Sequence, residues 1–196
     1  MPIELSVVPS RTAILSMDLQ KGIVSIYVKE QEEFLARANR LLAWARGLGI
    51  CVIHVQVGFR PGLPEVSSRN LLFNAVRSSP RHQQLFQGPA GVIHPALGPE
   101  DGDIVVVKHR VNAFAGTDLE MILRAKDIDT LVLFGISTSG VVLSTLLHAS
   151  DADFNLFVIK DCCTDQEPDV HACLVDKVFP RCATVLTAGE FLEARK

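Results

Sequence analysis

Two charged residues stand at the ends of apolar runs: Asp18 follows Ile14-Leu15-Ser16-Met17, and Lys108 follows Ile104-Val105-Val106-Val107. A carboxylate at the mouth of a buried strand loses solvation, which raises its pKa toward use as a general acid or base. A lysine in the same kind of place can pair with that carboxylate, hold it ionised and stabilise negative charge developing on a substrate. By position alone a capping aspartate explains Asp18 equally well, and a lysine snorkelling at a sheet edge explains Lys108. Two charges at equivalent strand ends carry more weight than either one. A third feature is the segment Phe134-Gly135-Ile136-Ser137-Thr138-Ser139-Gly140-Val141-Val142, which runs from an apolar strand into a helix. Ser137 or Ser139 can cap that helix, and backbone N–H groups from Ser137 to Val141 can point at an anionic oxygen. The segment misses the G-x-S-x-G spacing of a serine nucleophile elbow, because Ser139 stands where the second glycine is needed.

The elements that must position these residues are read from the apolar pattern. Runs at Thr12–Met17, Cys51–Val57, Ile104–Val107, Thr130–Ile136, Asn155–Ile159 and Ala183–Leu186 are continuously apolar, as expected of strands covered on both faces. Between them lie segments of helical period at Glu30–Leu48, Asp118–Ala125, Val141–Ala152 and Pro168–Val178, with a short closing helix from Gly189. Strand alternating with helix is the βαβ pattern, and right-handed crossovers then put helices on both faces of the sheet. The expected fold is α/β: a three-layer α/β/α sandwich with a six-stranded, mainly parallel, Rossmann-like sheet in the order 3-2-1-4-5-6. In such sheets ligands bind beyond the carboxyl ends of the strands, where strand order reverses. That rule selects Asp18 after the first strand, His54 and Gln56 along the second, Lys108 to Arg110 at the end of the third, Ser137 to Val141 after the fourth, and Asp161 at the end of the fifth. Residues 60–103 are irregular and rich in proline and glycine, with short helices such as Asn70–Val76, and a connection of that length usually walls or lids a site.

The 196 residues fit a single domain spanning 1–196. Twenty-two acidic against nineteen Lys and Arg residues give a net charge of −3, which supplies no long-range attraction to nucleic acid or acidic membrane. A small-molecule partner is the expectation. The first residues, MPIELSVVPS, lack a basic and then apolar leader, and no apolar run approaches a membrane span, so the chain reads as cytoplasmic. The five cysteines, at Cys51, Cys162, Cys163, Cys173 and Cys182, have no C-x-x-C spacing and read as reduced thiols. None of the six histidines forms an H-x-H or H-E-x-x-H pair, and no G-x-G-x-x-G follows a strand, so neither a metal nor a dinucleotide is implied. His148 reads as packing on a helix. Arg60, Arg81 and His82 lie in the long connection, where an arginine can meet an acidic substrate, although a solvated loop charge explains any single one.

Three blocks in order resemble the isochorismatase-like superfamily, also called cysteine hydrolases, over nearly the whole chain. Thr12 to Gln20 is similar to the family's first strand with its catalytic aspartate. Val107 to Glu120 is similar to the K-x-R-x-x-A-F-x-x-T-x-L block that carries the catalytic lysine, and Leu131 to Thr145 to the G-[IV]-x-T-x-x-C-V-x-x-T turn. The departure is Val141, which occupies the position of the family's nucleophilic cysteine. Valine has no nucleophilic atom or transferable proton, so the thioester route of the amidase branches is closed at that position. The isochorismatase branch also lacks this cysteine and hydrolyses a vinyl ether with the aspartate as proton donor. The resemblance implies Asp18 as general acid or base, Lys108 as its electrostatic partner, and the N–H groups of Ser137 and Val141 as an anion site. It also implies a non-proline cis peptide at Ile136–Ser137, substrate contacts from Gln20, Gln56, Arg110, Phe114, Ser139 and Gly140, and a homodimer or larger homo-oligomer. No residue of Gln56-Val-Gly-Phe-Arg60 matches the metal ligands of the nicotinamidase branch, so no metal and no cofactor are expected. The resulting expectation is a hydrolase of a small polar or acidic metabolite that acts through Asp18 and Lys108 without a cysteine nucleophile. Two alternatives stay open: a member of the fold that binds without catalysis, and a hydrolase using Ser137, Ser139 or Cys162 instead.

Overall fold

The computed structural model of the chain describes residues 7–194. The reading of a missing leader therefore rests in part on residues 1–6, outside the described segment. In chain order the elements are β1 (Thr12–Met17), α1 (Lys21–Tyr27), α2 (Gln31–Gly47), β2 (Cys51–Val57), α3 (Leu71–Arg77), α4 (Pro80–Gln84), β3 (Ile104–Lys108), α5 (Leu119–Ala125), β4 (Thr130–Ile136), α6 (Leu143–Asp151), β5 (Asn155–Thr164), α7 (Pro168–Cys173), β6 (Thr184–Leu186) and α8 (Ala188–Glu193). Two π-helical turns adjoin them, Thr138–Val142 ahead of α6 and Leu174–Val178 after α7. The six strands form one all-parallel sheet in the order β3-β2-β1-β4-β5-β6, flanked by helices. Among the described residues no helix is long and apolar enough to cross a membrane.

The apolar runs pair as their composition requires. Every residue of β1 and β4 is buried, which a strand achieves only at the centre of a sheet with both faces covered. The helix α2 presents Phe34, Leu35, Ala38, Leu41, Leu42 and Ala45 to the core at helical spacing. It shares its face of the sheet with α8, where Trp44 meets Phe191 edge-on at a centroid distance of 5.5 Å. In β3 the expectation of cover on both faces fails: Val105 and Val107 are 42% and 44% exposed, because β3 is an edge strand that the helical layer only partly reaches.

Three differences from the sequence reading bear on the site. An unexpected helix, α1, starts three residues after Asp18 and buries Gly22, Ile23 and Val24. The fifth strand does not end at Asp161 but runs to Thr164: the β4–β5 register shifts between Leu133 and Gly135, and the strand resumes with buried Cys162 and Cys163. The polar pair Lys160-Asp161 marks that irregularity rather than an end. The helix expected from Val141 opens instead as the π-helical turn, capped by Ser137, whose Oγ accepts from the Gly140 N–H at 3.1 Å. The peptide between Ile136 and Ser137 is cis.

Gly135 explains how the turn stays beside β1. Its φ is 148°, and a Cβ there would overlap the Met17 carbonyl oxygen, so only a residue without a side chain lets β4 lie this close to the end of β1. Gly135→Ala is therefore expected to lower stability by more than about 1 kcal/mol, read as the shift in the urea unfolding midpoint. A variant as stable as the parent would show that the close approach is not required.

Candidate active site

The sheet order reverses between β1 and β4, and the residues singled out in the sequence converge there. Asp18 continues the ladder by one bond, its N–H donating to Val55 O at 2.8 Å, and then turns the chain with φ 57°. That left-handed conformation is uncommon for a residue with a side chain, though Asp tolerates it better than most, and it aims the carboxyl into the core instead of along the strand. Lys108 closes β3 two strands away, its carbonyl accepting from Gly58 N–H at 3.1 Å. Its ammonium crosses the end of β2 to lie 2.8 Å from Asp18 Oδ2 and donates to Arg110 O at 3.0 Å. Both side chains are buried. The second carboxylate oxygen, Asp18 Oδ1, is buried without a hydrogen-bond partner among the described residues.

Burial pushes the Asp18 carboxyl above the ordinary carboxylate range, and the Lys108 charge and hydrogen bond oppose that rise without cancelling it. The pair borders a cavity of about 870 Å³ that also meets Val141, Ser137, Gly140 and Tyr27. Burial, followed by the charges of Asp165 and Asp18, raises the Tyr27 phenol, so Tyr27 stays protonated and able to donate. The cavity suits proton transfer between a buried carboxyl and a bound small molecule, with a cation at hand to stabilise the carboxylate.

Of the residues expected at the site, Asp18, Lys108, Ser137, Gly140 and Val141 line the cavity, and Gln20, Gln56, Arg110, Phe114 and Ser139 do not. Gln20 is fully buried and engaged in the backbone: its amide donates to Val57 O at 3.0 Å and Gly91 O at 2.6 Å while accepting from Val57 N–H at 2.8 Å. Arg110 donates to His109 O and Glu65 O, which ties down the start of the long connection. Phe114 is buried, stacked on His148 at 4.3 Å, and Ser139 is exposed with its N–H on Asp165 Oδ2 at 2.7 Å. Cys162 is buried outside the cavity, and burial pushes its thiol strongly up, the reverse of what a nucleophile needs. His54 and Asp161 also lie elsewhere: His54 Nε2 is 3.3 Å from Asp103 Oδ2, and Asp161 accepts from Ala188 N–H and faces Arg37 at 3.4 Å. Among the described residues no group of three or more His, Cys, Asp or Glu gathers as a metal set.

Sequence reasoning passed over Tyr27, Asp165 and the wall supplied by α1, whereas the short helix expected at Asn70–Val76 stands as α3 in the wall. The period of Ile23, Ile26 and Tyr27 was a usable signal for α1. Asp165 had none, since its contact with the Ser139 N–H depends on how far β5 runs. Thr145 does work that its spacing hides, accepting from Ala113 N–H at 3.1 Å and so fastening the segment after Lys108 to α6.

Residues 12–190 match the model of the isochorismatase domain. The chain is 35% identical over 186 residues to the isochorismatase family protein YecD of Escherichia coli O157:H7, covering 93% of this chain and 95% of the relative. It is 27% identical over 188 residues to a maleamate amidohydrolase of Pseudomonas putida, covering 93% and 86%. A solved isochorismatase family protein from Burkholderia thailandensis aligns at a TM-score of 0.84 with 29% identity, covering 96% of this chain and 97% of that one.

Because the Asp18 pKa is raised, the folded chain keeps a proton over a pH window in which the unfolded chain has lost it, so stability falls as pH rises through that window. Removing the Lys108 charge extends the window upward. Lys108→Met is expected to cost about 3–5 kcal/mol at pH 8 and clearly less at pH 5, measured by urea unfolding at both. An equal loss at the two pH values would mean that the carboxyl does not respond to the lysine.

Proposed function

The chain belongs to the isochorismatase family, and from that premise we propose that it is a hydrolase of a small metabolite in which Asp18 moves the proton, water attacks directly, and no covalent intermediate forms. The observation that supports this most is the open cavity bordered by Asp18, Lys108 and Val141, beside a carboxyl whose second oxygen is buried with no hydrogen-bond partner among the described residues. An orphaned buried oxygen costs about 1–3 kcal/mol, and a substrate or water that hydrogen-bonds to it recovers that cost. Val141 offers only two methyl groups at the position of the family's nucleophile, which leaves the carboxyl as the reactive group.

The chemistry that fits is cleavage of a bond that opens on protonation, such as the C–O bond of an enol ether. Protonated Asp18 gives its proton to the vinylic carbon, the oxygen-stabilised cation takes up water, and the water's surplus proton returns to Asp18. The adduct then collapses to a ketone and an alcohol. Burial favours the acid form of the carboxyl, and Lys108 steadies the carboxylate left after transfer. The N–H groups of Ser137 and Val141 at the π-helical turn serve the leaving oxygen, which gains negative charge as the adduct collapses. An amide suits this arrangement less well, because its cleavage calls for a strong nucleophile and none stands at residue 141.

One other reading has an observation of its own: Ser137 lines the cavity, and its hydroxyl is a possible nucleophile. The two are separated on a substrate found by screening enol ethers, esters and amides. Asp18→Asn is expected to lower kcat by about 100-fold or more, Ser137→Ala to leave most of it, and intact-mass spectra during turnover to contain unmodified protein only. Full turnover by Asp18→Asn, or an adduct trapped on Ser137, would sink the direct route; ligand binding with no turnover anywhere in the panel would indicate a binding protein.

A further inference from the structure

One cation of the cavity has no ionic partner among the described residues. Lys108 lies against the Asp18 carboxyl at 2.8 Å, no second carboxylate among the described residues lines the cavity, and the remaining cation with a permanent charge is Arg81 on α4. Among the described residues no ion pair or side-chain hydrogen bond engages the Arg81 guanidinium. It is exposed whereas the Asp18–Lys108 pair is buried, so the two charged features stand at the mouth and the floor of the same space. Between them the surface is apolar, provided by Ile23, Ile26, Leu72, Phe73, Val76 and Phe86.

Arg81 is held where it is by close backbone contacts. Ser79 caps α4, its Oγ accepting from His82 N–H at 3.3 Å, with Pro80 starting the helix. The end of α4 rests on α1: a Cβ on Gly22 would come within 2.8 Å of Leu85 O and 3.3 Å of Ala90 O. Gln20 then binds Gly91 O, Lys21 N–H donates to Val92 O, and His94 N–H donates to Leu19 O, so the residues just after Asp18 clamp the wall that bears Arg81.

Resting on the hydrolase reading above, we infer that the substrate is an amphipathic carboxylic acid: a single carboxylate seated on Arg81 at the mouth, an extended apolar body along the belt, and the scissile bond at Asp18. An unpaired guanidinium favours a carboxylate for its charge and its two parallel acceptors. A cavity of about 870 Å³ lined mainly by aliphatic and aromatic groups is far larger than a short polar acid fills. Arg81 is thus a specificity residue, and the proton chemistry does not pass through it.

Calorimetric titration of the full chain with 3-phenylpropanoate and 4-phenylbutanoate, against the matching alcohols and against acetate, tests this without any turnover. The arylalkanoates are expected to bind about ten-fold more tightly than their alcohols and than acetate. Arg81→Gln removes the preference over the alcohols and leaves alcohol binding within about two-fold, while Arg81→Lys restores part of it. Arg81 is exposed, so both variants fold, which a matching unfolding midpoint verifies. A carboxylate preference that survives Arg81→Gln, no preference in the parent, acetate binding as well as the arylalkanoates, or no binding of either arylalkanoate each overturns the inference. The preference persists in Asp18→Asn, so a hydrolase that proves not to need Asp18 defeats the mechanism alone, and a lost preference defeats the substrate class alone.

Discussion

A carboxylate and an ammonium buried 2.8 Å apart constrain much of this molecule. Each ion alone would cost several kcal/mol to take out of water, and their attraction compensates only with good geometry and further hydrogen bonds. Here the geometry spans three strands. Lys108 reaches from edge strand β3 past the end of β2, and Asp18 meets it from the end of β1, so the pair forms only if β3, β2 and β1 end at one level. The bonds from Asp18 N–H to Val55 O and from Gly58 N–H to Lys108 O set that level. Even so the compensation is incomplete: among the described residues Asp18 Oδ1 has no partner, and the carboxyl remains above its ordinary pKa. That deficit is the observation on which the proposed acid–base role of Asp18 stands.

The turn after β4 is fixed just as closely and by different means. Gly135 lets the backbone pass against Met17, Ser137 caps the π-helical turn, Asp165 holds the Ser139 N–H, and Thr138 Oγ1 lies 2.8 Å from His171 Nδ1. Four contacts thus hold a turn in which Thr138, Val141 and Val142 are buried, and of these three the inert Val141 borders the cavity. A turn held from so many sides presents main-chain N–H groups at a set position, across the cavity from the carboxyl proposed as the proton donor.

The long connection between β2 and β3 has its own small core of Leu63, Val66, Phe73 and Val76 with Phe59, Phe86 and Val111 packed on it. Its attachment to the main core runs through α1 and Gln20, which is why the residues immediately following β1 decide where the outer wall stands. The ion pair at the floor and the wall with Arg81 therefore belong to different segments, and the wall can vary without disturbing the ion pair.

Periodicity and apolar runs in the chain were enough to determine the parallel sheet and the two charges at its mouth, because burial on both faces leaves a compositional trace in each strand and a lone charge after such a run stands out; the strand order was an expectation from the Rossmann-like pattern that the fold bears out. The substitution at Val141 was equally legible, being a matter of residue identity. Roles that depend on distance were not. Gln20 carries the same polar amide whether it meets substrate or backbone, and only the folded chain commits it to Val57 and Gly91. Phe114 is spaced like a pocket residue but stacks on His148, and Asp161 yields the strand end to Asp165 because a register shift lengthens β5. Arg81 was one loop charge among several until its surroundings showed no anion beside it. Local sequence records what a residue can do and whether its neighbours are buried; which of its possible partners it meets depends on contacts between segments far apart in the chain, and those exist only once the sheet, the turn and the wall are packed together.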